Sequence, residues 1–571
     1  MLLFSVIISV YFLILLWFLQ IAQIYDISVV STLFIIATSI LYSLLIYIMP
    51  LRLKKLINTI FLFLVCILTF GNIFYYYIKH SILTISLLSL VDELAGVSES
   101  VTGYLNPMYI LILIFPLVFA VATNKLINNI DKRFPNKVVL ATLAVVVTMN
   151  IGFFYQDDLL YTTVYSPLDY AREFGFISFY AREITPFTKK SLDDVEYNNV
   201  AKNQSINSNT GIFEDKTNVV LVAAESFDDI AIDETLTPTL YMMSQDGLFF
   251  ENYYTLSNNT NASEFSIMTS VHPPIDNAKV GNFSGDYNSI PELFNQEDFC
   301  TFAFHLNYST FYNRGELYPE LYDFDYTYFS EELYPDVALN DVKDELLFEL
   351  STRYIEEQDC EKNFSYYMSY YGHSAYHIST RPSAESDFEY VNSVYPENDE
   401  YLNAYLSFQM SLDKMAEEMI QYYDQQGILE DTVFIFVADH YPYALGDPEH
   451  QYGEYSQAYV DASFSGDAYE IYNVPFFIYD PTQKLDNNQE YMSNVDVLPT
   501  IADLFGLDYE YSEGKSAFDD SEDGVIKWLG VDNFGILSKD TVYPSEDPSP
   551  ETLAEVEEDK LQAAKLYSLF D

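Results

Sequence analysis

Positive charge is scarce in this sequence: 27 Lys and Arg stand against 84 Asp and Glu, a formal net charge of −57. A surface with that deficit cannot neutralise a phosphate backbone, which excludes nucleic acid as a partner. Cysteine is scarcer still, at 3 residues, so the chain is no disulfide-dense scaffold. Cys66 lies in an apolar span, while Cys300 and Cys360 could pair in an oxidising compartment. With only 7 histidines, few positions can supply an imidazole. No internal repeat is visible.

What charge there is falls unevenly. The first 155 residues hold 8 Lys/Arg and 5 Asp/Glu, a net of +3, whereas the remainder holds 19 and 79, a net of −60. The same first segment carries five uncharged apolar runs, Leu2–Ile24, Ile27–Met49, Leu56–Ile78, Met108–Thr123 and Val138–Tyr155. Most approach the ~20 residues that cross a bilayer, so they predict five membrane spans. Arg52, Lys54 and Lys55 follow the second run, and Lys125, Lys132, Arg133 and Lys137 follow the fourth. Positive-inside counting then predicts a multi-pass cell-membrane protein with a cytoplasmic N-terminus and everything after Tyr155 outside. His80–Leu90 reads as an interfacial helix rather than a sixth crossing.

Residues 156–216 read as a linker. Ser166-Pro167 opens a helical pattern, with Tyr170, Phe174, Ile177, Ala181 and Ile184 on one face and Pro186 closing it. That helix either lies on the membrane surface or packs against the external domain. Residues 188–215 are polar and Asn/Ser-rich, the mark of a flexible connection. Residues 217–541 alternate apolar strand-like runs, at 299–304, 365–369, 433–437 and 474–479, with helical patterns. The clearest helix covers 401–423, its apolar face broken only by Gln409. This alternation predicts an α/β domain with a largely parallel sheet. Residues 542–571 form an acidic tail with a helix beginning at Ser549-Pro550.

Two of the apolar runs stop at ligand-type side chains: Val219–Ala224 at Glu225, and Val433–Ala438 at Asp439-His440. Functional groups gather at the carboxyl ends of strands in open α/β sheets, so these three residues point to a metal site. The polar loop Ser257–Asn259 leads into a helix with Thr260 near its start. Thr260 is either an N-cap or a nucleophile, and a threonine hydroxyl needs a metal or base to activate it. His305 and His373 follow two further strands. Arg314 has the planar fork suited to a phosphate.

With these residues placed, the chain resembles the lipoteichoic acid synthase-type enzymes of the alkaline phosphatase/sulfatase superfamily almost end to end. The motifs that carry the resemblance are Ala224-Glu225-Ser226-Phe227, Thr260 through Glu264-Phe265, His305 with Tyr312-Asn313-Arg314, His373, Asp439-His440, Val474-Pro475 and Asp496–Thr500. The resemblance implies one divalent cation, manganese or alternatively magnesium, held by Glu225, Thr260, Asp439 and His440. It implies that Thr260 attacks phosphatidylglycerol, and that the glycerophosphate passes to a lipid- or polymer-linked glycerol acceptor. His305, Arg314 and His373 would hold that group. Asn258-Asn259 replaces the family's Gly-Lys, Asn261-Ala262 its Ser-Asp, Tyr312 its tryptophan and Ala438 its glycine. None of these departures removes a metal ligand, so they bear on the acceptor or headgroup; the alternatives are a phosphodiesterase or phosphoethanolamine-type transferase on the same scaffold, or a non-catalytic surface-binding protein. Sulfate-ester chemistry is disfavoured, because neither Cys300 nor Cys360 lies in a Cys/Ser-x-Pro-x-Arg setting.

Overall fold

A computed structural model describes residues 2–21, 36, 39–40, 42–46, 49–79, 82–83, 111–127, 171, 179–180, 210–273, 280, 287–334, 341–446, 455–463, 469–519, 524–528, 535–539 and 542–543. The chain forms two compact units, Met1–Ser191 and Leu192–Asp571.

The first unit contains helices α1 (Leu2–Ile21), α2 (Leu51–Lys79) and α3 (Phe115–Ile127). Polar side chains join them: Tyr11 Oη donates to Leu62 O at 2.5 Å, and Asn58 Nδ2 to Thr123 Oγ1 at 2.8 Å. Leu53, Leu56, Ile60, Leu64 and Ile67 on α2 face outward. The five-span, multi-pass expectation is corrected here. Among the described residues one helical segment, Leu53–Ile73, is long and apolar enough to cross a membrane. The apolar parts of α1 and α3 are shorter, Leu3–Leu19 and Ile112–Ile127, and α3 is entered through a 3₁₀ turn at Leu111–Ile114. A hydrocarbon core of ~30 Å is spanned by ~20 apolar helical residues, more than either of these two stretches holds. With one qualifying helix, the inside–outside assignment built on five spans has no basis. A single crossing and a surface-bound arrangement fit the described residues equally well. The second and fifth runs fall largely outside the described residues, as do the 80–90 helix and the tail helix.

Tyr180, in the segment read above as a linker, belongs to the first unit. Its hydroxyl donates to Leu83 O at 2.7 Å and accepts from Asn72 Nδ2 at 2.6 Å, while Leu83 N–H donates to Asn72 Oδ1 at 2.9 Å. This closed ring ties Tyr180 and Leu83 to Asn72 of α2.

The second unit is an α/β domain on a mixed eight-stranded sheet. Its strands are β1 (Asn218–Ala224), β2 (Leu248–Tyr254), β3 (Cys300–His305), β4 (Tyr326–Tyr328), β5 (Asn363–Met368), β6 (Thr432–Ala438), β7 (Phe476–Tyr479) and β8 (Asn488–Ser493). They lie in the order β4-β3-β5-β1-β6-β7-β2-β8. The β7 strand runs antiparallel to both β6 and β2, and the other pairings are parallel. Every residue of β1 and β6 is buried, which is why both read as unbroken apolar runs. Each such Val, Leu or Ile contributes about 1.5–3 kcal/mol. A second, antiparallel sheet joins β9 (Val525–Trp528), β10 (Gly535–Ser538) and β11 (Val542–Tyr543).

The helices that place the site are α4 (Thr260–Thr269), α5 (Arg314–Glu320), α6 (Asp344–Gln358) and α7 (Glu400–Gln426). The long α7 starts at Asp399, whose side chain accepts from the N–H groups of Tyr401 and Leu402, and stops at Gly427 with φ 72°. Cys300 and Cys360 form a disulfide at the amino ends of β3 and β5.

Candidate active site

Pairing register builds the centre of the site. Ala224 of β1 sits beside Ala438 of β6 in a parallel ladder, so the residues that follow, Glu225 and Asp439-His440, emerge together at the carboxyl edge. All three are buried, and one ligand atom from each falls within 4.8 Å of the others. His440 Nε2 lies 3.5 Å from Glu225 Oε1 and 3.3 Å from Asp439 Oδ2.

Hydrogen bonds orient each group. Asp439 Oδ1 accepts from the backbone N–H of Ser226 at 2.9 Å and of His440 at 2.7 Å. Asp439 Oδ2 has no hydrogen-bond partner although the residue is fully buried. His440 Nδ1 faces Tyr441 O at 2.9 Å. A carbonyl can only accept, so Nδ1 carries a proton, and Nε2 is the nitrogen that faces the carboxylates. Burial, then the charge of Glu225, pushes the Asp439 carboxyl well above the usual range. Two enclosed carboxylates, an unmet oxygen and an imidazole nitrogen within 4.8 Å of one another form a donor set that a divalent cation fits.

The turn after β1 is held from behind. Ser226 takes φ 51°, uncommon for a residue with a side chain, and its Oγ donates to Glu225 Oε1 at 2.8 Å. Gln409 Nε2 on α7 donates to Glu225 O at 3.2 Å and Ser226 O at 3.4 Å, and Tyr405 Oη to Ser226 O at 2.9 Å. Gly372 fits against the same turn, where a Cβ would stand 2.4 Å from Glu225 O. Gln409 had a sequence signal, as the one polar residue on the apolar face of α7. Ser226 lies inside the strand-to-glutamate motif with no role of its own in sequence, and Tyr405 reads only as part of the apolar face.

Thr260 is the first residue of α4, and Asn259 holds the N-cap position without a side-chain capping bond. The threonine hydroxyl does not serve as a cap. It lies 3.4 Å from Glu225 Oε2 and 3.4 Å from His440 Nε2, beside the cluster. Every residue of α4 is buried, and Ser270, which follows it, anchors the helix through Oγ to Val495 O at 2.5 Å.

His305 and Arg314 form a second contacting set. His305 pairs with Met368 across β3 and β5, and its Nδ1 faces Met368 O at 3.1 Å. Nδ1 is thus the protonated nitrogen, and Nε2 faces Arg314 Nη1 at 3.5 Å. Burial, then the Arg314 charge, holds the ring's pKa well below the usual value, so His305 is neutral. Arg314 is fully buried and donates from Nε to Glu264 Oε2 at 3.0 Å. The Tyr312 ring centroid lies 5.1 Å from its guanidinium carbon. His373 lies in the turn after β5, its Nδ1 2.5 Å from Ser374 O and its ring stacked on Tyr370 at 5.9 Å. His305 meets the same Tyr370 edge-on at 6.2 Å. The histidines therefore share one tyrosine rather than touching each other.

A protein-family model for sulfatases matches residues 217–507, just over half of the chain. Lipoteichoic acid synthase 2 of Bacillus subtilis strain 168 is similar at 23% identity over 489 residues, 80% of this chain and 73% of that protein. The lipoteichoic acid synthase of Staphylococcus saprophyticus is also 23% identical, over 480 residues, 78% of this chain and 72% of the relative. Among solved structures, the lipoteichoic acid synthase LtaP from Listeria monocytogenes superposes with a TM-score of 0.51 at 22% identity. That likeness covers 66% of this chain and 97% of the other, and it establishes the fold. Fold and buried acid–histidine cluster together support a metal-dependent enzyme of phosphotransfer type. On the extent of the family match, the chain belongs to the sulfatase family, with a weaker likeness to lipoteichoic acid synthases.

Proposed function

We propose that the unit built on residues 217–541 transfers glycerophosphate from phosphatidylglycerol to a polyglycerophosphate or glycolipid acceptor. Glu225, Thr260, Asp439 and His440 hold one divalent cation, manganese, and His305, Arg314 and His373 hold the glycerophosphate. The observation that carries this reading is the Thr260 hydroxyl, 3.4 Å from both Glu225 and His440 at the head of a helix. A bound cation supplies a lowered hydroxyl pKa and offsets charge on the phosphoryl group.

In this reading Thr260 Oγ bonds to phosphorus as the bond to the diacylglycerol oxygen breaks. An acceptor hydroxyl then displaces Thr260 from the glycerophosphoryl-threonine. Arg314, buried with Nη2 unmet, offers a fixed donor to a phosphoryl oxygen. Neutral His305 keeps Arg314 in place at Nη1, and Nε2 can accept from a glycerol hydroxyl only if that contact opens.

The test is incubation of the purified chain with manganese and labelled phosphatidylglycerol, with and without a polyglycerophosphate or glycolipid acceptor. Label moving to the acceptor is the expected result. Release to water alone would replace the transferase with a phosphodiesterase, and inertness toward every donor lipid would sink the enzymatic reading.

A further inference from the structure

We infer that Glu264 is a positioning residue that decides which edge of Arg314 meets an oxyanion. The inference rests on reading Arg314 as the phosphate-binding group. Glu264 and Tyr318 lie outside every set of groups assigned above to metal or substrate, as does Tyr366.

A guanidinium carries its donors in one rigid plane. Here Nε is taken by Glu264 Oε2 at 3.0 Å, and Nη1 faces the Nε2 lone pair of His305 at 3.5 Å. Nη2 is enclosed and has no partner. An unmet donor of a buried cation is costly unless a ligand completes it.

Glu264 is itself held by three donors. Besides Arg314, its Oε1 accepts from Tyr318 Oη at 2.5 Å and Tyr366 Oη at 2.7 Å. Burial first, and the Glu264 charge next, keep both phenols protonated and therefore donating. Tyr318 comes from α5, one turn after Arg314, and Tyr366 from β5. Glu264 belongs to α4, one turn after Thr260. One carboxylate thus joins α4, α5 and β5. It turns the Nε edge of Arg314 inward, leaving Nη2 for a tetrahedral oxyanion of the phosphate-ester class. Because Thr260 and Glu264 ride on the same helix turn, the nucleophile and the oxyanion donor are spaced by a single rigid element.

The test uses the full chain in detergent with manganese, and inorganic phosphate as the calorimetric probe. Glu264→Gln keeps the side chain's size but cannot accept from Arg314 Nε and both phenols together. It is expected to weaken phosphate binding about tenfold while manganese affinity holds. In an Arg314→Ala background the same substitution is expected to add nothing, because the two act as one unit. Tyr366→Phe removes one donor, is expected to show a smaller loss of the same kind, and stands in if Glu264→Gln does not fold. Wild-type phosphate affinity in both variants, with Arg314→Ala impaired, would overturn the positioning role. So would a Glu264→Gln loss that persists in full in the Arg314→Ala background. Unchanged binding in Arg314→Ala alone would remove the anion site, and the underlying functional reading with it.

Discussion

The backbone N–H of Ser226 donates to Asp439 Oδ1 at 2.9 Å, between residues 213 apart in the chain. This bond fastens the turn after β1 to the carboxylate after β6. Ser226 also holds Glu225 through its hydroxyl, so the two carboxylates share one orienting residue.

Thr260→Ala is expected to abolish transfer while leaving the domain folded. The hydroxyl's contacts with Glu225 and His440 are long and it caps nothing, so its loss should cost about 1 kcal/mol or less in a urea titration. Mass spectrometry of the wild type quenched in turnover should place a glycerophosphate adduct on a peptide containing Thr260. An adduct on Ser257 or Ser263 instead would end the covalent-threonine mechanism.

Gln409→Leu preserves the apolar face of α7 but strips a donor from the carbonyls of Glu225 and Ser226. Manganese affinity, measured by calorimetry, should fall about 10–100-fold, the usual effect of losing an outer-shell partner. Unchanged affinity would show that Tyr405 and Gly372 suffice to hold the turn.

Asp344 gives a pH prediction. Burial pushes its carboxyl up to about 7 from an ordinary 3.8, against the N–H bonds it receives from Tyr370 and Tyr371. Between those values the folded chain keeps a proton that the unfolded chain has lost. Stability from this group is therefore full below the unfolded pKa and is lost as pH rises through about 7. Relative to Asp344→Asn, the wild type should lose up to about 1 kcal/mol per pH unit across that window. A pH-independent difference between the two would refute the assignment.

The disulfide predicts thiol counts. Denatured but unreduced protein should take one maleimide, on Cys66, and three after reduction. Closing a loop of 60 residues corresponds to about 4 kcal/mol of stability, so Cys300→Ser with Cys360→Ser should unfold at markedly lower urea.

Particular residues show what could be read from sequence and what could not. β1 and β6 were legible because burial on both faces leaves an unbroken apolar run, and Glu225, Asp439 and His440 stood out as its abrupt ends. That β1 lies between β5 and β6 was not legible, since register depends on distant partners. The tautomer of His305 was hidden for the same reason: it is set by Met368 across a strand pair. β8, with sequence NQEYMS, is polar and became a strand because β2 offered it an edge. In the first unit, apolar composition suggested spans without revealing the 3₁₀ turn that shortens the fourth.

The strand order also sets a timetable for synthesis. In the sheet β1 is flanked by β5 and β6, so Ser226 waits for a partner made 213 residues later. At about 5–20 residues per second that is a delay of roughly 10–40 s. During it Thr260, Glu264 and Arg314 have already been polymerised, while the acid–histidine cluster has only its Glu225. A ribosome halted before Asp439 therefore carries α4 complete beside a single carboxylate, and the acid–histidine cluster closes only as the central strand is finally flanked.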